Sequence, residues 1–102
     1  MAILVKLAQD VTLQTIGAAH EALCEAFMGG QDVDLDVDRL EQGDLGVVQL
    51  ILAARAEAEA NHRQFRLTAP ANPVLISLLA RTGLYPQTHA DIDFWFHGVI
   101  PA

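Results

Sequence analysis

Residues 33–55 constrain the fold more tightly than any other stretch of the chain. They open as Val33-Asp34-Leu35-Asp36-Val37-Asp38, a strict alternation of apolar and acidic side chains. That period of two belongs to a strand with one buried and one wet face. After Gly43 and Asp44 comes Leu45-Gly46-Val47-Val48-Gln49-Leu50-Ile51-Leu52-Ala53-Ala54-Arg55, whose length and composition predict a helix. A strand therefore feeds a helix through a short turn, and any function legible in the sequence sits at that turn.

The flanking chain supplies matching elements. Residues 2–8 read as a first strand and residues 11–13 as a shorter second one. Thr15 is placed to cap a helix running to Phe27 or Met28, with Ile16, Ala19, Leu23, Ala26 and Phe27 on one face and Gly29-Gly30 as its stop. Asp44 caps the helix from Leu45 to about Ala60, which Asn61-His62 ends. Residues 65–68 read as a fourth strand. Asn72-Pro73 is a cap followed by proline at the first helical position, and Gly83 closes that helix, with Leu84 packing back onto its last turn. In the tail, residues 91–96 predict a short helix capped by Asp91 and stopped by Gly98. Its Phe94, Trp95 and Phe96 are expected to pack on the domain, with contact in a homodimer as the second use. Strand–helix–strand repeats imply parallel neighbours.

Composition removes several functions. With 13 acidic and 6 basic side chains the net charge is −7, and Lys6 is the only lysine. Clustered cations for nucleic acid or an anionic membrane are missing, so neither is expected as a partner. The apolar start, residues 2–5, is too short for a signal peptide, and no run reaches membrane-spanning length, so a cytoplasmic location is expected. Cys24, the single cysteine, reads as a buried structural thiol.

Catalytic patterns are scarce. Asp32, Asp34, Asp36 and Asp38 invite a calcium loop, but counting from Asp32 the sixth position is Val37, not glycine, and the twelfth is Gly43, not glutamate. No metal and no cofactor are expected. Ser77, the only serine, lies mid-helix, which excludes a nucleophile elbow. His20 reads as an ordinary helix residue and His62 as a helix-end residue. An enzyme or ligand carrier would have to gather His89, His97 and Trp95 into one pocket. The helix from Leu45 is apolar on nearly every side; either the core buries all of it, or one side meets a protein partner.

Taken together, these pieces resemble the STAS domain family, named for sulfate transporters and anti-sigma factor antagonists. The likeness covers roughly residues 3–84. It rests on the strand at 33–38, the turn Asp44-Leu45-Gly46-Val47-Val48, the passage Phe65-Arg66-Leu67-Thr68-Ala69-Pro70-Ala71-Asn72-Pro73 and the close Leu79-Ala80-Arg81-Thr82-Gly83-Leu84. The resemblance implies an α/β fold with about four strands in a mixed sheet and helices mainly on one face. It divides the chain into a STAS-like domain at 1–84 and a C-terminal extension at 85–102 packed on it.

In anti-sigma factor antagonists of this family, a kinase-like anti-sigma factor docks on the turn and phosphorylates its serine, which releases the partner. Here Asp44 is kept, but Gly46 stands at the serine place, Leu45 precedes it and Val47 replaces the motif glycine. The resemblance therefore implies a non-catalytic, partner-binding module without that phosphoacceptor. Its expected interface is Gly43, Asp44, Leu45, Gly46, Val47 and Leu50, with a kinase-like anti-sigma factor or another signalling protein as partner. A STAS subunit seated on the ATPase of a phospholipid ABC transporter is similar too, although its turn carries threonine where this chain has Leu45. An adaptor of a chemotaxis or two-component pathway is the third expectation.

Overall fold

The computed structural model describes residues 2–12 and 15–99. Its elements are β1 (Ile3–Lys6), β2 (Asp10–Val11), α1 (Ile16–Met28), β3 (Val33–Asp36), β4 (Gln42–Gly43), α2 (Leu45–Ala60), β5 (Phe65–Leu67), α3 (Pro73–Arg81) and α4 (His89–Phe96).

The main sheet has three strands in the order β1-β3-β5, and a second sheet joins β2 to β4. Among the described residues every pair is parallel. This corrects the expectation of about four strands in one mixed sheet. A mixed sheet needs a chain reversal, and Leu7-Ala8-Gln9 between β1 and β2 contains none of the Gly or Asn residues that tight hairpins use. Instead Leu7 N–H donates to the Asp36 carbonyl at 2.9 Å and Gln9 C=O accepts from Glu41 N–H at 2.8 Å, so the chain runs on into a second parallel pairing. Of the expected second strand at 11–13 only Val11 is kept, with Asp10 added before it and Thr12 outside it; its Leu13 lies outside the described residues.

Register explains the alternation in β3. Ile3, Val33 and Phe65 form one row, and Val5, Leu35 and Leu67 another. Val33 and Leu35 are completely buried on this face, where Phe27 of α1 meets Phe65 edge-on at 5.8 Å. On the opposite face Leu4, Asp34 and Arg66 align, with Lys6 beside Asp36. The acidic residues are used structurally. Asp32 accepts from Gln64 N–H at 2.9 Å, Asp34 pairs with Arg66 at 3.7 Å and Asp36 accepts from Asp38 N–H at 2.9 Å.

Two caps differ from expectation. Thr15 precedes α1 without a side-chain cap bond; its hydroxyl donates to the Asp10 carbonyl at 3.0 Å and accepts from Thr12 N–H. The tail helix starts earlier than expected and is capped by Thr88, whose hydroxyl accepts from Asp91 N–H at 3.2 Å. Cys24 is exposed, not buried, because α1 turns that position toward α2 and away from the sheet.

The tail is integral to the packing. Trp95 and Phe96 are buried, Ala71 N–H donates to the Trp95 carbonyl at 2.7 Å, and Phe94 lies 5.7 Å from Phe65. Arg55 ties α4 to α2: it pairs with Asp91 at 2.7 Å and sits 4.8 Å over the Phe94 ring. The hydrogen bond from Arg55 holds the Asp91 carboxyl below its usual range, against the burial that pushes it up and with help from Thr88. A depressed folded-state value stabilises the fold at neutral pH, and that stabilisation is lost as pH falls through it. Asp91→Asn should lower the melting temperature at pH 7 by an amount that shrinks away as the pH falls below the ordinary aspartate value and through the depressed folded-state one. Because the Asp91 side chain is 42% exposed, solvent screening keeps the effect under about 1 kcal/mol. A gap unchanged at acid pH would contradict the pairing.

Candidate functional site

The turn into α2 is built from both sides. Leu40, buried at its apex, hydrogen-bonds back to Val37, and β4 seats Gln42 and Gly43 beside Asp10 and Val11. The Gln9 amide donates to Glu41 at 2.6 Å. From the other side, Asn72 Nδ2 donates to the Val37 carbonyl at 2.9 Å and the Leu40 carbonyl at 3.1 Å, while its Oδ1 accepts from Leu75 N–H at 3.0 Å. One side chain thus caps α3 and anchors the loop that delivers Asp44.

Asp44 has extended backbone and its Oδ1 accepts from Gly46 N–H at 2.9 Å, while its carbonyl accepts from Val47 N–H at 3.0 Å. The cap expected from sequence is in place. Leu45 then projects outward, 44% exposed, and Gly43, Asp44 and Gly46 are half-buried around it. Val47 and Leu50 do not share that surface. Val47 is completely buried and Leu50 is 8% exposed, so both serve the core. This corrects their expected place at an interface: within two turns the helix carries positions 47, 48, 50 and 51 under its packed neighbours, Leu50 toward α1. The exposed residue that sequence reasoning passed over is Gln49, one turn beyond Leu45 on the same face. The i to i+4 spacing was the signal for it.

The glycines are fixed by crowding. A Cβ at Gly46 would lie 3.0 Å from both Asp44 Oδ1 and Ile16 Cδ1, and one at Gly43 would lie 3.0 Å from Val47 Cγ2. A side chain at Gly46 would therefore press on the cap carboxylate and on the Ile16 side chain of α1. Gly46→Ser should destabilise the fold by about 1–3 kcal/mol, the usual cost of overpacking. Urea unfolding measures this, and a neutral or stabilising result would show that the neighbours yield freely.

The histidines do not converge. His89 and His97 stand at opposite ends of α4. His97, in a left-handed conformation, places Nε2 3.0 Å from the Leu67 carbonyl. A cavity of about 370 Å³ beside it is lined by Asp34, Arg66, Thr68, Asp93 and Phe94 among others, without His89 or Trp95. A site made of all three tail residues is thus excluded by their placement. His62 adopts a left-handed turn just past α2, and His20 lies exposed 3.7 Å from the Cys24 sulfur. Among the described residues no three His, Cys, Asp or Glu side chains are grouped to hold a metal, and no helix is long and apolar enough to cross a membrane.

A family model described as "Mlab, STAS domain" matches residues 2–85, which takes in the sheets, α1 to α3 and the turn at Asp44. No curated protein and no solved structure matches the chain. A match over most of the chain, on a fold whose parallel strands lead into an Asp-capped second helix, carries the assignment: the chain belongs to the STAS domain family.

Proposed function

We propose that this is a non-catalytic, cytoplasmic protein-binding STAS module that docks its partner on the N-terminal turn of α2. In this respect it is anti-sigma factor antagonist-like, but it lacks the phosphorylatable serine. The observation that carries the reading is the turn itself. Asp44 keeps its cap, Leu45 is offered to solvent, and Gly46 carries no hydroxyl and sits where a side chain would crowd Asp44 Oδ1 and Ile16. A partner that reads this turn gains apolar contact from Leu45 and meets no hydroxyl to modify. Release then has to come from elsewhere than serine phosphorylation at this turn.

Leu45→Asp tests the reading. At a 44% exposed position it should alter stability by no more than about 1 kcal/mol. At a docked interface the same charge is desolvated without a partner, and affinity should fall by roughly a hundredfold or more. Titration calorimetry against the purified partner, with melting as the control, separates the two. Unchanged affinity for every partner would end the reading. With a kinase-like partner and ATP, the turn from Asp44 to Val47 should acquire no phosphate.

A second reading is a subunit seated on the ATPase of a phospholipid ABC transporter. The matching family model is described as Mlab and not as an anti-sigma factor antagonist, which favours this partner. Capture with the full chain, using a kinase-like anti-sigma factor, a transporter ATPase and a chemotaxis protein side by side, chooses among them; capture counts only where Leu45→Asp abolishes it.

A further inference from the structure

A concavity lies away from the turn, between α1 and α2. It has a volume of about 680 Å³, within the roughly 300–1,000 Å³ of small-molecule sites. Leu23, Leu50 and Ala54 form its buried floor, and Phe27 and Ala53 its walls. Along α2 the trough runs from Leu50 to Asn61, about 16 Å at 1.5 Å per residue, close to the length of an extended chain of roughly a dozen carbons.

Its polar groups are mostly committed to one another. The Asn61 amide donates to the Glu57 carboxylate at 3.2 Å, and Cys24 faces His20 at 3.7 Å. Arg63 is different. Its guanidinium folds over Gly30, where a Cβ would lie 3.3 Å from Nη2, and it has no hydrogen-bond or ion-pair partner among the described residues. Arg39, Arg63 and Arg81 form no side-chain ion pair among the described residues; of the three only Arg63, an exposed residue, lines the trough, where it is the one Arg or Lys and Glu57 the one carboxylate.

We propose that the groove binds a single-chain anionic amphiphile, with its chain along Leu23, Leu50, Ala53 and Ala54 and its carboxylate or phosphate head at Arg63. The apolar wall supplies affinity in proportion to the surface it covers. The guanidinium supplies a charge-assisted, bidentate contact that selects the anionic head. The inference rests on the groove and is independent of docking at Leu45.

The test uses the full chain with laurate, dodecyl phosphate and dodecylammonium, each below its micelle concentration, read by calorimetry and by amide NMR shifts. Saturable one-site binding of laurate or dodecyl phosphate is expected, with shifts centred on Leu23, Ala53 and Ala54; the tighter of the two identifies the head. Arg63→Gln should weaken that binding about tenfold, the size of one charge-assisted contact. Ala53→Trp, at an exposed position on the rim, should block it while leaving melting unchanged. Absence of saturable binding, equal binding of dodecylammonium, or anion binding indifferent to both substitutions would overturn the proposal. So would a concentration-dependent dimer that Ala53→Trp dissociates and laurate leaves intact, since a second copy would then be the occupant.

Discussion

Val47→Asp is expected to abolish the folded state. Val47 has no exposed surface, and its Cγ2 lies 3.0 Å from the position a Gly43 side chain would take. A carboxylate placed there is either ionised without a partner or protonated without a hydrogen bond, and either form costs several kcal/mol. Against a total stability of roughly 5–15 kcal/mol for a domain of this size, a loss above about 4 kcal/mol leaves a marginal or unfolded chain. Far-ultraviolet circular dichroism and urea unfolding read this directly. The comparison with Leu45→Asp gives the result its meaning: the two positions are one half-turn apart on the same helix, and only the exposed one is expected to keep the fold. If Val47→Asp melted like the wild type, the placement of α2 on the sheet would be wrong.

Trp95→Ala should cost about 3–5 kcal/mol, the usual range for deleting a buried large aromatic side chain. Trp95 is 2% exposed, packs edge-on against Phe94 at 5.1 Å, and its carbonyl receives the Ala71 N–H. For a chain near 100 residues, each kcal/mol shifts the melting temperature by roughly 4–8 °C, so a drop above about 12 °C is expected. The loss should appear in one cooperative transition, because α4 closes the same core as the sheet. A separate early transition, or a loss under about 1 kcal/mol, would make the tail an appendage. α4 lies beyond the residues matched by the family model, so this variant asks whether the part outside the match belongs to the same folding unit.

Much of the helical content was legible because its signals are local. Asp44 and Asn72 each form the expected cap, and the Pro73 start and the Gly83 stop follow from backbone preference alone. Thr15 and Asp91 misled for the opposite reason: a hydroxyl or carboxylate near a helix start has several partners within reach. Thr15 is taken by Asp10 and Thr12, Asp91 by Arg55. Cys24 misled because a helical pattern names a face without saying whether a neighbour covers it.

At the site, Asp44, Leu45 and the missing hydroxyl could be read from the residues themselves. That Val47 and Leu50 belong to the core could not, because the helix is apolar nearly all round and periodicity gives no preferred side. The sequence by itself determined the strand with one wet face, the Asp-capped helix after it, and the absence of serine at the turn. Those are properties of short-range sterics and of side-chain chemistry. It took the folded chain to show that β2 leaves the main sheet to pair with β4, that α2 turns Val47 inward and Leu45 outward, and that Ile16 crowds the space over Gly46. These depend on which distant surfaces meet, and burial is decided by the neighbours that the whole chain brings together.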